Sequence, residues 1–310
     1  MASILTNTGA MVALQTMRGI NKEMGTVQNQ ISTGMKVGTA KDNAATWAIA
    51  SVMRSDVAGL KSVSESLDVG RATVSVARVA TESISELMEE VKAKVLAAGD
   101  LTNEDSRTKL KTDIDNIADQ IDTMLRSASF NGVNLIAEVD EDGDFVVKPA
   151  ADASLDVVSS LKRDAAGALT TETIAVDTQN LGFSELEYVD AAGVDQTLTE
   201  ASIGAHLKTL FATPANTIDL NEALSKIEGL TASVIDAAAD FGSKEKQIEI
   251  QANFVSKLTD ALNQGIGALV DADMEEASAK LQALQVQQQL GIQAMSIANQ
   301  QPQNILSLFR

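Results

Sequence analysis

The residues best suited to chemistry are few and stand apart. Asp140, Asp142 and Asp144 alternate around Gly143, a carboxylate spacing that can wrap a calcium ion. A calcium loop of the EF-hand type needs glycine at its sixth position and an acid at its twelfth. Here those positions hold Phe145 and Ala151, so a solvated hairpin turn is the simpler reading. His206 is the only histidine, with no second histidine, no cysteine and no convincing acidic pair at the spacing a zinc site requires. The chain has no cysteine, hence neither a thiolate nucleophile nor a disulfide framework. Gly265-Ile266-Gly267 lies inside a helical pattern, and no nucleophile elbow, P-loop or dinucleotide fingerprint is present. The expectation is no catalytic residue, no metal and no cofactor.

The elements that would have to position any site are long helices. In the C-terminal half, Ile227, Val234, Phe241, Ile248, Val255, Leu262 and Leu269 recur at a strict seven-residue step. In the N-terminal half, Met53, Leu60, Leu67, Val74, Thr81, Met88 and Val95 do nearly the same. Ile49, Val63, Ala77, Ile84 and Val91 fill the adjacent row. Such repeats keep one apolar stripe facing a partner helix over many turns. These residues are expected to form the core of a helical rod that runs out and returns, with both termini at one end. The fold class expected is mainly α, a long antiparallel coiled-coil-like bundle with a β-hairpin and a small irregular or β insertion.

Composition supports helices. Apolar residues make up 45% of the 310 but aromatics only 3%, so aliphatic side chains must fill the core, as in helix bundles. The net charge of −19 argues against nucleic acid or an anionic membrane as partner. No run is long and apolar enough to span a bilayer, and no basic stretch with an apolar region opens the chain, so no Sec signal peptide is expected. Proline occurs only at 149, 214 and 302. Residues 138–226 carry 17 Asp and Glu against 5 Lys and Arg, twelve of the nineteen net negative charges. With turn signals at Asp142-Gly143, Ala166-Gly167 and Ala192-Gly193, this stretch reads as a solvated, strand-bearing insertion.

The first helix is expected over 4–34, with Ala10, Met17, Met24 and Ile31 at seven-residue steps. Gly34 and Gly38 bracket a linker, and Asp42 is the expected N-cap of a helix from about Asn43 to Ala98, roughly 80 Å long. A third helix carries Leu110, Ile114, Ile117, Ile121 and Met124, and Ser129-Phe130-Asn131-Gly132 stops it. Asn134–Val139 and Asp144–Lys148 should form a hairpin, and Thr173–Val176 another strand. Helix resumes near Leu220, and Asp273 caps the last one, with Met274, Ala277, Leu281, Leu284 and Met295 on its apolar face. Each terminal helix also carries a glutamine- and methionine-rich face, which suits a segment that orders in an assembly.

Both ends resemble bacterial flagellin. Ile31-Ser32-Thr33-Gly34-Met35-Lys36-Val37 and Ala40-Lys41-Asp42-Asn43-Ala44-Ala45 resemble the family's N-terminal signature. Ser129-Phe130-Asn131-Gly132-Val133 resembles its passage from helix to hairpin. Asp271-Ala272-Asp273 and Ala298–Arg310 resemble its C-terminal signature. The match covers 1–138 and 220–310. The short insertion and Thr46-Trp47-Ala48-Ile49 resemble alphaproteobacterial members.

The resemblance implies a structural protein that self-assembles into an extracellular helical filament and transmits motor torque. It implies terminal segments 1–38 and 273–310 paired as a coiled coil lining the filament channel. Ala10, Met17, Met24, Ile31, Leu281, Leu284, Met295, Leu306 and Leu308 would be the polymerisation residues. The rod would comprise 39–182 and 218–272, and 183–217 would face outward. Implied partners are other copies of the chain, the flagellar type III export apparatus and an export chaperone, and the filament cap and hook-junction proteins. Export by that route would need no Sec signal.

In flagellins detected by the vertebrate Toll-like receptor five, arginine stands at the position of Glu90 and glutamate at that of Ala93. The equivalent segment here is Glu89, Glu90, Lys92, Ala93 and Lys94, so weak or no receptor activation is expected. Two alternatives remain at this stage: a hook-filament junction protein with similar termini, and a secreted enzyme with helical arms.

Overall fold

The computed structural model describes residues 7–99, 104–139, 145–146, 154–164, 168–181, 186–189, 195–198, 202–210 and 220–308. Among the described residues there are six helices: α1 (Thr8–Thr33), α2 (Ala44–Gly99), α3 (Glu104–Ser127), α4 (Ile203–Leu210), α5 (Leu220–Val270) and α6 (Met274–Leu308). The strands are β1 (Ser129–Phe130), β2 (Val133–Asn134), β3 (Glu138–Val139), β4 (Phe145–Val146), β5 (Ser154–Arg163), β6 (Leu169–Asp177), β7 (Leu186–Val189) and β8 (Asp195–Leu198). They pair consecutively as four two-stranded antiparallel sheets, so the fold is mainly α. The chain divides into two compact units, Met1–Ala58 with Thr259–Arg310, and Gly59–Leu258.

In the first unit, α1 and α6 run antiparallel. Asn7 sits one residue before α1, and its Oδ1 accepts from the Ala10 N–H at 3.1 Å, satisfying an orphan donor of the first turn. The same side chain donates through Nδ2 to the Ala298 carbonyl at 2.8 Å. Gln288 Nε2 donates to Asn21 Oδ1 at 2.8 Å. Beyond the Asn21–Gln288 contact, toward Gly34, Val27, Ala277 and Leu284 are buried, with Ile20, Met24, Ile31 and Leu281 packed on or near them. Gly34 ends α1 at φ +70°, a left-handed conformation that glycine adopts without a Cβ penalty.

The connections into and out of the helix pair are stitched together. Lys36 N–H and Val37 N–H donate to the Val270 carbonyl at 2.7 and 3.2 Å, and Ala272 N–H donates to the Gly34 carbonyl at 2.9 Å. Asp273 Oδ1 accepts from the N–H groups of Glu275 and Glu276, capping α6 as expected from the sequence. The cap of α2 differs from expectation. Asn43 Oδ1 accepts from Thr46 N–H, whereas Asp42 turns back to Thr39, accepting from its N–H at 2.9 Å and its Oγ1 at 3.0 Å. Both residue types can cap, and α2 starts one residue later than Asp42 would need.

In the second unit, α2 and α5 are antiparallel and their heptad stripes meet. Leu60, Leu67, Val74, Ile84, Ile227, Val234, Phe241, Ile248 and Val255 are all buried. Thr81 holds a buried position in the stripe because its Oγ1 donates to the carbonyls of Ala77 and Arg78. Ile114, Ile117, Ile121 and Leu125 of α3 are also buried. Two of the residues expected in the core are not there. Ile49 is 55% and Leu269 39% exposed, and Leu262 is half-buried. A straight α-helix drifts about 20° per heptad against a strict seven-residue repeat, so the stripe leaves the packed face near its ends. There the first unit buries Ala50, Ile266 and Val270 instead, against Met35, Met53 and Val57.

The strands exceed the sequence expectation. Asn131 and Gly132 both have positive φ, 52° and 80°, as a two-residue hairpin turn that follows strand twist demands. The segment expected to stop α3 therefore also makes β1–β2. The hairpin expected over Asn134–Val139 and Asp144–Lys148 is present as the shorter β3–β4, with Val139 opposite Phe145. The acidic triplet 140–144 lies outside the described residues. β5–β6 is far longer than the strand expected at Thr173–Val176, and its register slips between Val158 and Ser160. It seats on two glycines of α2. A Cβ at Gly59 would stand 2.5 Å from Leu161, and one at Gly70 2.5 Å from Val157. Gln251 Nε2 donates to the Ser159 carbonyl and Lys244 Nζ to that of Ala175, both at 2.8 Å. On α3, helix α4 lies close because Gly204 has no Cβ to strike Asp122 and the Ala118 carbonyl.

Candidate assembly surface

An apolar stripe on a helix buries one face, and a helix apolar on two faces needs two partners. The α1–α6 pair is of the second kind. The inner face holds Val27, Ala277 and Leu284. The outer faces expose Met11, Val12 and Leu14 on α1, and Val286, Leu290, Ile292 and Ile297 on α6. Ile297 is 69% and Met11 64% exposed. Single exposed apolar residues are ordinary, but a run of them along two adjacent helices marks a surface that something covers.

Of the residues expected to polymerise, Ala10, Met17, Met24, Ile31, Leu281 and Met295 are half-buried and Leu284 is buried. Met24, Ile31, Leu281 and Leu284 are spent on holding α1 to α6 within the chain. The side chains of Leu306 and Leu308 lie outside the described residues. Sequence reasoning followed the seven-residue rows and passed over Met11, Val12, Leu14, Val286 and Ile297, which are exposed on the same helices. The signal was available, since apolar residues recur all round both helices.

The α2 segment equivalent to the receptor-recognised stretch is solvent-facing. Glu89, Glu90 and Ala93 are exposed, and Lys92 and Lys94 are half-buried. Lys92 Nζ lies 2.7 Å from Glu228 of α5, and Lys94 Nζ lies 3.5 Å from Glu90 and 3.4 Å from Asp113 of α3. The cations of this segment therefore face acids of the same chain.

Glu245 and then Glu82 hold the Arg78 guanidinium more firmly protonated, through contacts of 2.6 and 2.7 Å. Lys208, paired with Asp119, is likewise raised, chiefly by that hydrogen bond. The Thr39 N–H, then its hydroxyl, holds the Asp42 carboxyl below the usual carboxylate range. Lys246 does the same for Glu249. Each is an ion pair or a local hydrogen bond at the surface, not a poised acid or base. His206 is buried in α4, which packs on α3. No described helix is long and apolar enough to cross a membrane.

Comparison with known proteins agrees with this picture of two helical ends. A family profile described as the bacterial flagellin N-terminal helical region matches residues 4–141, and one described as the C-terminal helical region matches 224–309. Flagellin C of Rhizobium meliloti is 36% identical, over 100% of both chains. Flagellin FljK of Caulobacter vibrioides is 37% identical, over 99% of this chain and 98% of its own. A flagellin of Brucella melitensis is 37% identical over 100% of both.

Proposed function

The chain belongs to the bacterial flagellin family and is a subunit of the flagellar filament, and from that premise we propose how its parts serve the polymer. Members of the family form the extracellular filament, which is a structural polymer. In this reading the segments 1–38 and 273–310 make the innermost subunit contacts, through the outer faces of α1 and α6. The rod segments 39–182 and 218–272 carry load along the filament, and 183–217 faces outward. The supporting observation is the row of exposed aliphatic side chains from Met11 to Leu14 and from Val286 to Ile297, on helices whose inner faces are already buried.

The chain has no catalytic role in this proposal. It leaves the cell through the flagellar type III apparatus, held by an export chaperone, and meets the cap and hook-junction proteins at the filament's ends. The test is elongation of purified chain from short filament seeds, followed by electron microscopy and sedimentation. Replacing Leu290 and Ile297 together by serine should abolish elongation and leave the melting of the second unit unchanged. Elongation at the wild-type rate would remove these faces from the assembly.

Weak activation of Toll-like receptor five is part of the proposal. An arginine offers bidentate contacts that Glu90 cannot mimic, and a reversed central anchor typically costs about 2–5 kcal/mol in binding. Glu90→Arg with Ala93→Glu should recover part of a receptor reporter signal. Strong signalling by the unaltered chain would refute this point and leave the filament assignment intact.

A further inference from the structure

The second unit carries a groove and a ridge that its own packing leaves unmatched. The groove runs along α2 in two adjoining hollows of about 540 and 460 Å³, with Phe130 of β1 lining both. Val76, Val79 and Met124 line the apolar hollow, and the charged residues lining the other are the acids Glu65 and Asp156. The ridge is on α5, where Ile250 is 60% and Phe254 55% exposed. Lys246 stands four residues before Ile250 and Lys257 three after Phe254, so all four share one helix face. Ile250 lies about 200° around the helix from Ile248, which is buried. The ridge therefore points away from the stripe that packs α5 on α2, and it cannot turn into the groove of its own chain.

We propose that the Ile250–Phe254 ridge of one copy seats in the Val79–Phe130 groove of the next, as a lateral contact of the filament. This rests on the flagellin assignment and deepens it. A second copy is the occupant because the chain is a polymer subunit and because the charges are complementary, lysines at both ends of the ridge and acids at the end of the groove. An aromatic anchor entering an apolar hollow is the usual core of a stable contact. Ridge and groove are different surfaces, so the contact is heterologous, the kind that can propagate from copy to copy as an open helix rather than stop at a dimer.

The absence of native cysteine allows a direct test. Val79→Cys chains and Asn253→Cys chains, the latter altered at an exposed position beside the ridge, are mixed in equal amounts, grown from seeds, and treated with a short bis-maleimide. The expected result is a covalent dimer that needs both variants and appears only after polymerisation. Ile250→Ser with Phe254→Ser should slow elongation at least tenfold at an unchanged melting midpoint. Filaments that contain both cysteine chains yet give no dimer, or a double-serine chain that elongates like wild type, would overturn the contact and leave the filament assignment standing. Wild-type chain that fails to elongate from seeds would overturn both.

Discussion

Val255 is 1% exposed, one heptad from Ile248 in the stripe that packs α5 on α2. Val255→Asp would bury a carboxylate among aliphatic side chains, at a cost of several kcal/mol. The second unit should lose its cooperative melt by circular dichroism, and cells should lose motility. A variant melting at the wild-type temperature would contradict the burial. Asp42 supplies a pH-dependent residue. Its carboxyl is depressed by the Thr39 N–H first and the hydroxyl second. The contribution is therefore fully present above the ordinary carboxylate range, near 4 for an unfolded chain, and is lost as pH falls through the depressed folded value. A carbon-detected titration should place its midpoint below that of the urea-unfolded chain, and Thr39→Val should raise it part of the way. Equal midpoints in folded and unfolded chains would remove the interaction. This residue also shows a limit of sequence reading. Asp42 and Asn43 are both good caps, and the choice between them depends on where Thr39 lies in space.

At the scale of elements, the glycines of α2 explain what sequence alone left obscure. Gly59 and Gly70 look like defects in a helix, each costing about 1 kcal/mol relative to alanine. They are notches for Leu161 and Val157 of β5. The long helices were legible because a seven-residue repeat is a local signal carried over fifty residues. The β5–β6 hairpin was not, because Ser154–Arg163 mixes Asp, Ser and Lys with apolar residues and a register slip breaks its alternation. Gly70→Ala should therefore destabilise the second unit by about 1–3 kcal/mol in urea, despite its better helix propensity. Val157→Ala added to it should return most of the loss, since the two sites share one contact. A stabilising Gly70→Ala would mean the hairpin yields freely. For the end helices, limited proteolysis of unassembled chain should trim 1–38 and 273–310 before the second unit. Filaments should protect both. Equal resistance in the two states would show that assembly adds nothing to those helices.

For the molecule as a whole, the net charge of −19 sets the long-range term in assembly. Subunits repel until salt screens them, with a length near 8 Å at about 0.15 M. Elongation from seeds should speed up as salt is added, and a rate that falls instead would mean that attractive pairs such as lysine on groove acid dominate the encounter. The division of labour was legible in outline, with helical stretches 1–148 and 215–301 free of proline and an acidic, turn-rich middle. The second apolar face of each end helix was not, because one stripe suffices to explain a helix until a structure shows that stripe already used. The closing of that stripe has a temporal side. Asn21 and Gln288, which bond across the α1–α6 seam, are 267 residues apart in sequence. At about 5–20 residues per second, a ribosome releases α1 on the order of tens of seconds before its partner emerges. Throughout that interval the seam has one side only, and contacts of such separation are the slowest for a chain to find. α6, made long after α1, is thus the helix that commits it, and whatever covers α6 on emergence would hold the seam open.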